Sequence, residues 1–433
     1  MKLAILWNES FLWGLITFWS CKSAGIPFDL VNSDQIKRDI LDNYQILLVP
    51  GGWAAQKGKS LGDTGKQKVR EFIRSGGSFL GFCGGAGLAL DVPYGLSLLP
   101  LKRKGARDRL VNFSGGVLLN PVDTSHALWE KLSYPYEFYV WWPSQFDLEN
   151  NHRVKIIAHY KNSGTDFRVS DLAVDDIKLW GKKWKEWEEI YKIKLNPEIL
   201  WGEPAIVEGN FGNGKVVLSY VHLDTPRHKN SQVALRNLCE YLSLSSHESE
   251  ELSEENRDFD LSGKFIKIDT ETVDASNQIG KLISKFYNFG YRNLVWNWRN
   301  PWLLQWKRGL RGLEYTTLIV MTKELTERIR NSLNQEQRLS PTSWKEKLLE
   351  FKRMLEDFLE EASVLLGKER FLLEKSCGPL SKLTSHDYEV DKLRKKLFGE
   401  KMSFGGKYRE LIQLLDELLF AMLKATDSLQ NNK

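Results

Sequence analysis

The sequence has few cysteines and no long apolar run, and each shortage excludes a class of protein. Its 433 residues include four cysteines that lie far apart, with no C-x-x-C pair. Neither a zinc ribbon nor a disulfide framework is therefore expected. No run of about 18 apolar residues occurs, which argues against a membrane-spanning helix. The opening residues carry a short apolar run broken by Asn8 and Glu9, which predicts a first strand and not a signal peptide.

An excess of charge of one sign is also missing. The formal net charge is +5, from 61 lysines and arginines against 56 acidic residues spread along the chain. So mild a balance gives no reason to expect a nucleic-acid partner. Hydrophobic residues make up 42% of the chain, enough for buried cores, and the length suits two or three domains. We expect a cytoplasmic protein with no cofactor and no metal site.

Strand-like and helix-like patterns alternate over residues 1–243. The runs KLAILW, QILLVPGG and SFLGFC predict strands, and GKQKVREFIRSGG predicts an amphipathic helix between the last two. Alternation of this kind favours a mostly parallel sheet with helices on both faces. The first domain is therefore predicted to be of the α/β class.

The composition changes after that domain. Residues 244–262 are acidic and poor in apolar side chains, which predicts a linker. Residues 263–433 predict an all-α domain, a helical bundle or hairpin, because apolar residues recur there every three or four positions. One such stripe contains Trp344, Leu348, Phe351, Leu355, Phe358, Ala362 and Leu365, and a second contains Leu411, Leu415, Leu418, Met422, Ala425 and Leu429. In the tryptophan-rich segment 296–312, Pro301 predicts the start of a further helix.

The stretch GFCGGAGLAL places Cys83 between an apolar run and a glycine cluster that opens a helical pattern. A strand that ends in G-x-C-G-G and feeds a helix is typical of a nucleophile elbow, with cysteine in place of serine. The helix N-terminus favours a thiolate. The backbone N–H of Gly84 is a candidate oxyanion donor, and a second N–H could come from the Gly51-Gly52 loop at a neighbouring strand end.

A thiolate nucleophile needs a base, and the sequence offers His222 after another apolar strand. Asp224 lies two residues further, on the same side of an extended chain, and could orient the imidazole. The hypothesis is a triad of Cys83 as nucleophile, His222 as base and Asp224 as orienting acid. The alternative for each residue alone is structural: an inert cysteine in a buried turn, or a hydrogen-bonded histidine at a strand end.

The segments LLVPGGW, VREFIRSGGSFLGFCGGAGLAL and GNGKVVLSYVHLDTP together resemble the class I glutamine amidotransferase-like superfamily. Within it, residues 2–243 are most similar to the family named for the N-terminal domain of biotin–protein ligase. The resemblance implies a flavodoxin-like α/β fold with a Cys-His-acid site. It assigns the catalytic roles to Cys83, His222 and Asp224, with Gly52 and Gly84 near the oxyanion.

Two positions depart from that family. Gly84 stands where the family usually has alanine, and Asp224 stands where it has glutamate. Because aspartate is one methylene shorter, the histidine–acid contact is predicted to be the looser contact of the triad. No biotin-ligase catalytic module and no ammonia-consuming domain is recognisable in the sequence.

These observations leave more than one function open. The leading hypothesis is a cysteine-dependent hydrolase or amidotransferase that acts on the amide of a small molecule or peptide. The rival is an inactive interaction module whose helical domain binds a protein partner, and a weaker third reading is a peptidase of the same superfamily.

Some further segments have a structural and a functional interpretation. Gly51, Trp53 and Trp142 are candidate pocket residues beside the site. The basic segment 102–110 is either a solvated loop or a clamp for an acidic substrate. Residues 180–187 carry tryptophans on one helical face, which predicts a helix packed on the body or an aromatic partner site.

Overall fold

The computed structural model describes residues 1–148, 153–181, 183–245, 265–332, 336–338, 341–375, 380–382, 385–400 and 404–427. The chain divides into two compact units, Met1–Leu252 and Ser253–Lys433. Most of the acidic segment 244–262 lies outside the described residues, so the linker and the domain boundaries stay a prediction.

The first unit alternates strands and helices as the sequence pattern predicts. Its strands are β1 (Leu3–Leu6), β2 (Asp29–Val31), β3 (Ile46–Val49), β4 (Ser78–Phe82), β5 (Lys102–Arg103), β6 (Phe113–Pro121), β7 (Glu137–Trp141), β8 (Phe146–Asp147), β9 (Lys155–Ser163), β10 (Arg168–Val169), β11 (Leu172–Ala173), β12 (Pro204–Phe211) and β13 (Gly214–Ser219). Its helices are α1 (Leu12–Ala24), α2 (Ser33–Lys37), α3 (Ala54–Arg74), α4 (Gly84–Ala89), α5 (Val174–Leu179), α6 (Trp184–Tyr191) and α7 (Lys229–Ser245).

One mixed sheet organises this unit. Its strand order is β11-β10-β6-β9-β12-β13-β4-β3-β1-β2, with β7 paired to β6. The neighbours from β13 to β2 are parallel, whereas β12 and the strands beyond it are antiparallel. Because the carboxyl ends of parallel strands share one edge, the segments after β1, β3, β4 and β13 meet there.

Helices cover both faces of the parallel part, so the predicted α/β fold class is confirmed. Helices α2, α3 and α4 pack together on one side, while α1 packs on α7. The apolar runs of the central strands are buried throughout, as strands covered on both faces require. The N-terminal run is strand β1 and not a helix.

The second unit is mostly helical. Its helices are α8 (Thr270–Arg292), α9 (Gly312–Asn331), α10 (Pro341–Lys375), α11 (Tyr388–Phe398) and α12 (Gly406–Asp427). Its short strands are β14 (Phe265–Lys267), β15 (Trp296–Asn300), β16 (Leu303–Trp306) and β17 (Glu336–Arg338). Helix α8 packs on α9 and α10, and α12 packs on α9 and α10. This arrangement is a helical bundle, as predicted.

Both predicted apolar stripes form the core of that bundle. On α10, every stripe residue from Trp344 to Leu365 is at most 5% exposed. On α12, the stripe residues from Leu411 to Ala425 are at most 3% exposed. Leu429 lies outside the described residues. The stripes face each other because neither helix can bury its apolar side alone.

The prediction of a helix at Pro301 is wrong. Strands β15 and β16 form an antiparallel hairpin there, with Trp296 opposite Trp306. Pro301 lies in the connecting turn, where the Asn300 side chain accepts a hydrogen bond from the Trp302 N–H at 3.1 Å. Proline suits a turn as well as a first helical position, so the residue alone could not separate the two. Among the described residues, no helix is both long and apolar enough to cross a bilayer.

We expect a fragment comprising residues 1–245 to fold alone, because its sheet and flanking helices enclose a core of their own. Its thermal unfolding should be a single cooperative transition by circular dichroism. A fragment without a cooperative transition would show that the second unit completes the first core.

Candidate active site

Cys83 occupies a sharp turn between β4 and α4. Its backbone angles are φ 48° and ψ −104°, which a residue with a side chain rarely adopts. The Cys83 N–H donates to the carbonyl of Ser219 at 2.8 Å, and the Cys83 carbonyl accepts from the Gly87 N–H at 2.9 Å. A cysteine held in a strained strand-to-helix turn has the geometry of a nucleophile elbow.

The glycines after Cys83 are required by the loop that follows β3. A Cβ at Gly84 would lie 1.9 Å from the carbonyl oxygen of Gly52, and a Cβ at Gly85 would lie 1.9 Å from that of Val49. Gly52 itself has φ +107°, which L side chains rarely adopt. The two glycine loops that the sequence analysis selected are thus in direct backbone contact.

His222 and Asp224 form a buried pair after β13. The imidazole Nδ1 and the carboxylate Oδ1 of Asp224 are 2.8 Å apart, and both side chains are 0% exposed. The second carboxylate oxygen accepts a hydrogen bond from the hydroxyl of Thr17 on α1 at 2.5 Å. The contact that the sequence predicts to be loose is therefore a direct hydrogen bond, because Thr17 holds the shorter acid in place.

The environment of His222 favours the imidazolium. Burial alone would lower its pKa, but the Asp224 carboxylate, and after it Cys83, raise the pKa of His222 to about 9. The ring is therefore protonated at neutral pH. Its Nε2 is buried and has no hydrogen-bond partner among the described residues. A ring nitrogen that faces away from the acid and has no partner among the described residues is available for proton transfer.

Aromatic side chains enclose the imidazole. Trp13 on α1 stacks on His222 with ring centres 5.0 Å apart and 29° between the planes. Gly51 lies beside both rings, since a Cβ there would be 3.0 Å from Trp13 Cγ and 3.2 Å from His222 Cε1. Sequence reasoning missed Trp13 and Thr17, because nothing in the sequence shows that α1 reaches the end of β13.

Trp142 lies at the edge of this aromatic group. Its ring is 6.4 Å from that of Trp13 and 6.3 Å from that of Trp141, and its backbone has φ 52°. The carbonyl of Trp141 is 4.0 Å from the Sγ of Cys83. Of the predicted pocket residues, Gly51 and Trp142 therefore contact the enclosure, whereas Trp53 is a half-buried residue at the start of α3.

A buried lysine, which sequence reasoning also missed, supports the Gly52 loop. Lys57 is 0% exposed, and its ammonium donates to the hydroxyl of Ser10 and, at 3.4 Å, to the carbonyl of Asn8. A Cβ at Gly52 would lie 2.6 Å from the carbonyl of Glu9. Lys57 thus ties the segment after β1 to the loop after β3, directly beside the elbow.

The other cysteines have no comparable environment. Cys21 and Cys239 are fully buried, and burial raises the pKa of the Cys21 thiol strongly and that of Cys239 to about 12. Cys377 lies outside the described residues. Cys83 is half-buried and so is the accessible thiol among those described. Within the same residues, no cluster of His, Cys, Asp and Glu side chains is suited to a metal ion.

Residues 29–95 match the family model described as "Biotin-protein ligase, N terminal". The resemblance expected from the sequence is therefore confirmed for the segment that contains the glycine loop and the elbow. No curated protein matches the chain in sequence.

Solved structures give distant similarities. A protein from Thermoplasma acidophilum described as a "putative gmp synthase subunit a protein" is 12% identical, with a TM-score of 0.36, and the match covers 57% of this chain and 94% of that protein's chain. A protein from Bacteroides uniformis described as a "Putative thua-like protein" is 11% identical, with a TM-score of 0.35, and the match covers 56% of this chain and 90% of that protein's chain. The beta-galactosidase from Rahnella sp. R3 is 14% identical, with a TM-score of 0.32, covering 56% and 31%.

The substitution Gly84→Ala should destabilise the first unit by roughly 1–3 kcal/mol, because its methyl group meets the Gly52 carbonyl. Gly280→Ala in α8 is the matched control, since a Cβ there has no neighbour within 4 Å. The free energy of unfolding of this control should rise by roughly 0.5–1 kcal/mol. Urea unfolding measures both, and equal effects of the two substitutions would contradict the loop contact.

The His222–Asp224 pair makes stability depend on pH. The folded-state pKa of about 9 lies above the ordinary 6.5, so the contribution of His222 is complete below pH 6.5 and is lost as the pH rises through 9. The free energy of unfolding that His222 contributes below pH 6.5 is on the order of 3 kcal/mol. We expect urea midpoints to fall between pH 6.5 and 9.5, and to fall much less in Asp224→Asn. The exposed Asp63→Asn should behave as wild type.

Proposed function

We propose that the first unit is a cysteine-dependent amidohydrolase or amidotransferase in which Cys83, His222 and Asp224 act together. The observation that carries the proposal is the pairing of a strained elbow cysteine with a buried, acid-bonded histidine whose Nε2 has no hydrogen-bond partner among the described residues. Strained backbone and buried charge both cost stability, and both are common where a protein performs chemistry.

The first chemical step is attack by the Cys83 thiolate on the amide carbonyl carbon of the substrate. The C–S bond forms while the carbonyl π electrons move to oxygen. Backbone N–H groups of Gly52 and Gly84 are the proposed donors to that oxyanion. The Cys83 thiol passes its proton to His222, the base that the sequence predicts, and the resulting imidazolium is the acid of the next step.

Collapse of the tetrahedral intermediate breaks the C–N bond. The Nε2 proton of His222 moves to the departing nitrogen, which leaves as ammonia or an amine, and a thioester remains on Cys83. The neutral imidazole then removes a proton from water, or from an acceptor amine, that attacks the thioester carbon. The C–S bond breaks, which returns the Cys83 thiolate and releases the carboxylic acid or the new amide. Asp224 keeps the ring oriented through both transfers, and Thr17 keeps Asp224 oriented.

Iodoacetamide in limiting amount should modify Cys83 before the other thiols, read by mass spectrometry of the native protein at neutral pH. The physical reason is that Cys83 is half-buried beside an imidazolium, whereas Cys21 and Cys239 are fully buried. In His222→Ala the rate at Cys83 should fall by about tenfold or more. Exposed His386→Ala, in the second unit, is the control and should leave the rate unchanged.

Preferential labelling of another cysteine, or an unchanged rate in His222→Ala, would argue for the inactive interaction module. Equal melting temperatures of His222→Ala and His386→Ala would show that a slower alkylation of Cys83 does not result from unfolding. If His222→Ala does not fold, Asp224→Asn gives the same comparison with the ring retained.

A further inference from the structure

Trp142 combines a strained backbone with a half-buried ring. Its φ of 52° lies in the left-handed region, where glycine and asparagine are common and a bulky side chain is rare. Part of the indole is exposed to solvent, so the ring gains less from burial than a core tryptophan does. Backbone strain at a residue that is not fully buried points to a role other than packing of the core.

Backbone contacts place Trp142 next to the sulfur of Cys83. The carbonyl of Trp141 is 4.0 Å from the Sγ of Cys83, and this carbonyl belongs to the peptide bond that leads into Trp142. The N–H of the same peptide bond donates to the carbonyl of Phe113 at 2.9 Å, directly after β7 ends. Because these contacts to Trp141 and Trp142 use only backbone atoms, they do not depend on the indole.

Aromatic rings continue from Trp142 to the imidazole of the site. The indole of Trp142 meets that of Trp13 edge to face, with ring centres 6.4 Å apart and 64° between the planes. Trp13 in turn stacks on His222 with ring centres 5.0 Å apart. Trp13 and Trp141 are only 7% and 3% exposed, so Trp142 carries the accessible ring of these three tryptophans.

The chemistry of an indole limits what can pack on it. Its face is large, rigid and uncharged, and its one polar group is a single N–H donor. Aromatic rings attract one another in edge-to-face and offset-stacked arrangements beyond the effect of burial alone. The group that fits best against Trp142 is therefore apolar and planar.

We propose that Trp142 is a specificity-determining residue whose indole packs against an aromatic ring of the substrate while the substrate amide reaches Cys83. The substrate class is thus an amide that carries an aromatic group close to the amide itself. This inference rests on the proposed function for the role of Cys83, but contact between an aromatic amide and Trp142 does not require catalysis.

The test compares two electrophiles, N-benzyl chloroacetamide and N-methoxyethyl chloroacetamide, on the full-length protein. With either probe the Cys83 thiolate forms a C–S bond and displaces chloride, so the probes differ only in an aromatic ring against a polar chain. Rates at Cys83 are read by mass spectrometry and divided by the rates with glutathione, which removes the intrinsic reactivity of each probe. The aromatic probe should react about fivefold or more faster.

Trp142→Gly removes the ring, and glycine adopts a φ of 52° without strain, so this variant should keep the fold. Its preference for the aromatic probe should fall to about twofold or less, because the ring contact is lost. A purely structural role of Trp142 would instead slow both probes alike. Trp142→Asn is the second variant in case Trp142→Gly does not fold, since asparagine also tolerates positive φ.

Two further variants serve as controls. Trp142→Phe keeps an aromatic ring at the same position and should retain most of the preference. Trp180→Ala removes a tryptophan of the same unit that is 55% exposed, and it should leave the preference unchanged.

Equal rates of the two probes in the wild-type protein, a preference that persists in Trp142→Gly, or an equal loss in Trp180→Ala would overturn the role of Trp142. Failure of the proposed function is seen separately, as a Cys83 that reacts with neither probe. In that case NMR titration with N-benzylacetamide and N-methoxyethylacetamide tests the contact without chemistry. Tighter binding of the aromatic amide that is lost in Trp142→Gly would support the contact, and equal binding or no binding would overturn it.

Discussion

The contact between two glycine loops is the constraint on which the rest of the site depends. Strands β3 and β4 are parallel neighbours, so the loops that follow them emerge at one edge of the sheet. A methyl group at Gly84 would lie 1.9 Å from the Gly52 carbonyl, so the loops can approach this closely only with glycine. The approach sets the position of Cys83 in its strained turn, directly before α4.

The acid of the site shows how the fold compensates for a short side chain. Asp224 reaches Nδ1 of His222 at 2.8 Å even though it has one methylene less than glutamate. Its other oxygen is held by Thr17, and Trp13 from the same helix covers the imidazole ring. Helix α1 thus fixes the orientation of the Asp224 carboxylate and of the His222 ring through Thr17 and Trp13. Burial of the whole group strengthens each of these polar contacts.

The surroundings of Cys83 differ in polarity on its different sides. The ring of Trp13 stacks on the imidazole and the ring of Trp142 lies 6.4 Å from that of Trp13, whereas the buried hydroxyls of Tyr160 and Tyr220 have no hydrogen-bond partner among the described residues. Pockets that combine apolar walls with a few convergent polar groups are typical of small-ligand sites.

Local sequence patterns were sufficient to predict most of the strands and helices and to select Cys83, His222 and Asp224 as candidate site residues. Apolar runs between glycines predicted the strands around Cys83, and the three- and four-residue spacing from Trp344 onward predicted the core of the helical bundle. These features depend on neighbours along the chain, which a sequence displays directly. The prediction at Pro301 was wrong because proline is common both in turns and at the start of a helix, so the local pattern fits both structures.

The sequence by itself determined the α/β class, the glycine loops and the order of Cys83 and His222 at strand ends. Only the tertiary structure decided that Thr17 holds Asp224 and that Lys57 is buried beside Gly52. The physical reason is sequence separation. Thr17 and Asp224 are 207 positions apart, and such a pair meets only when packing of the whole sheet places α1 beside the end of β13.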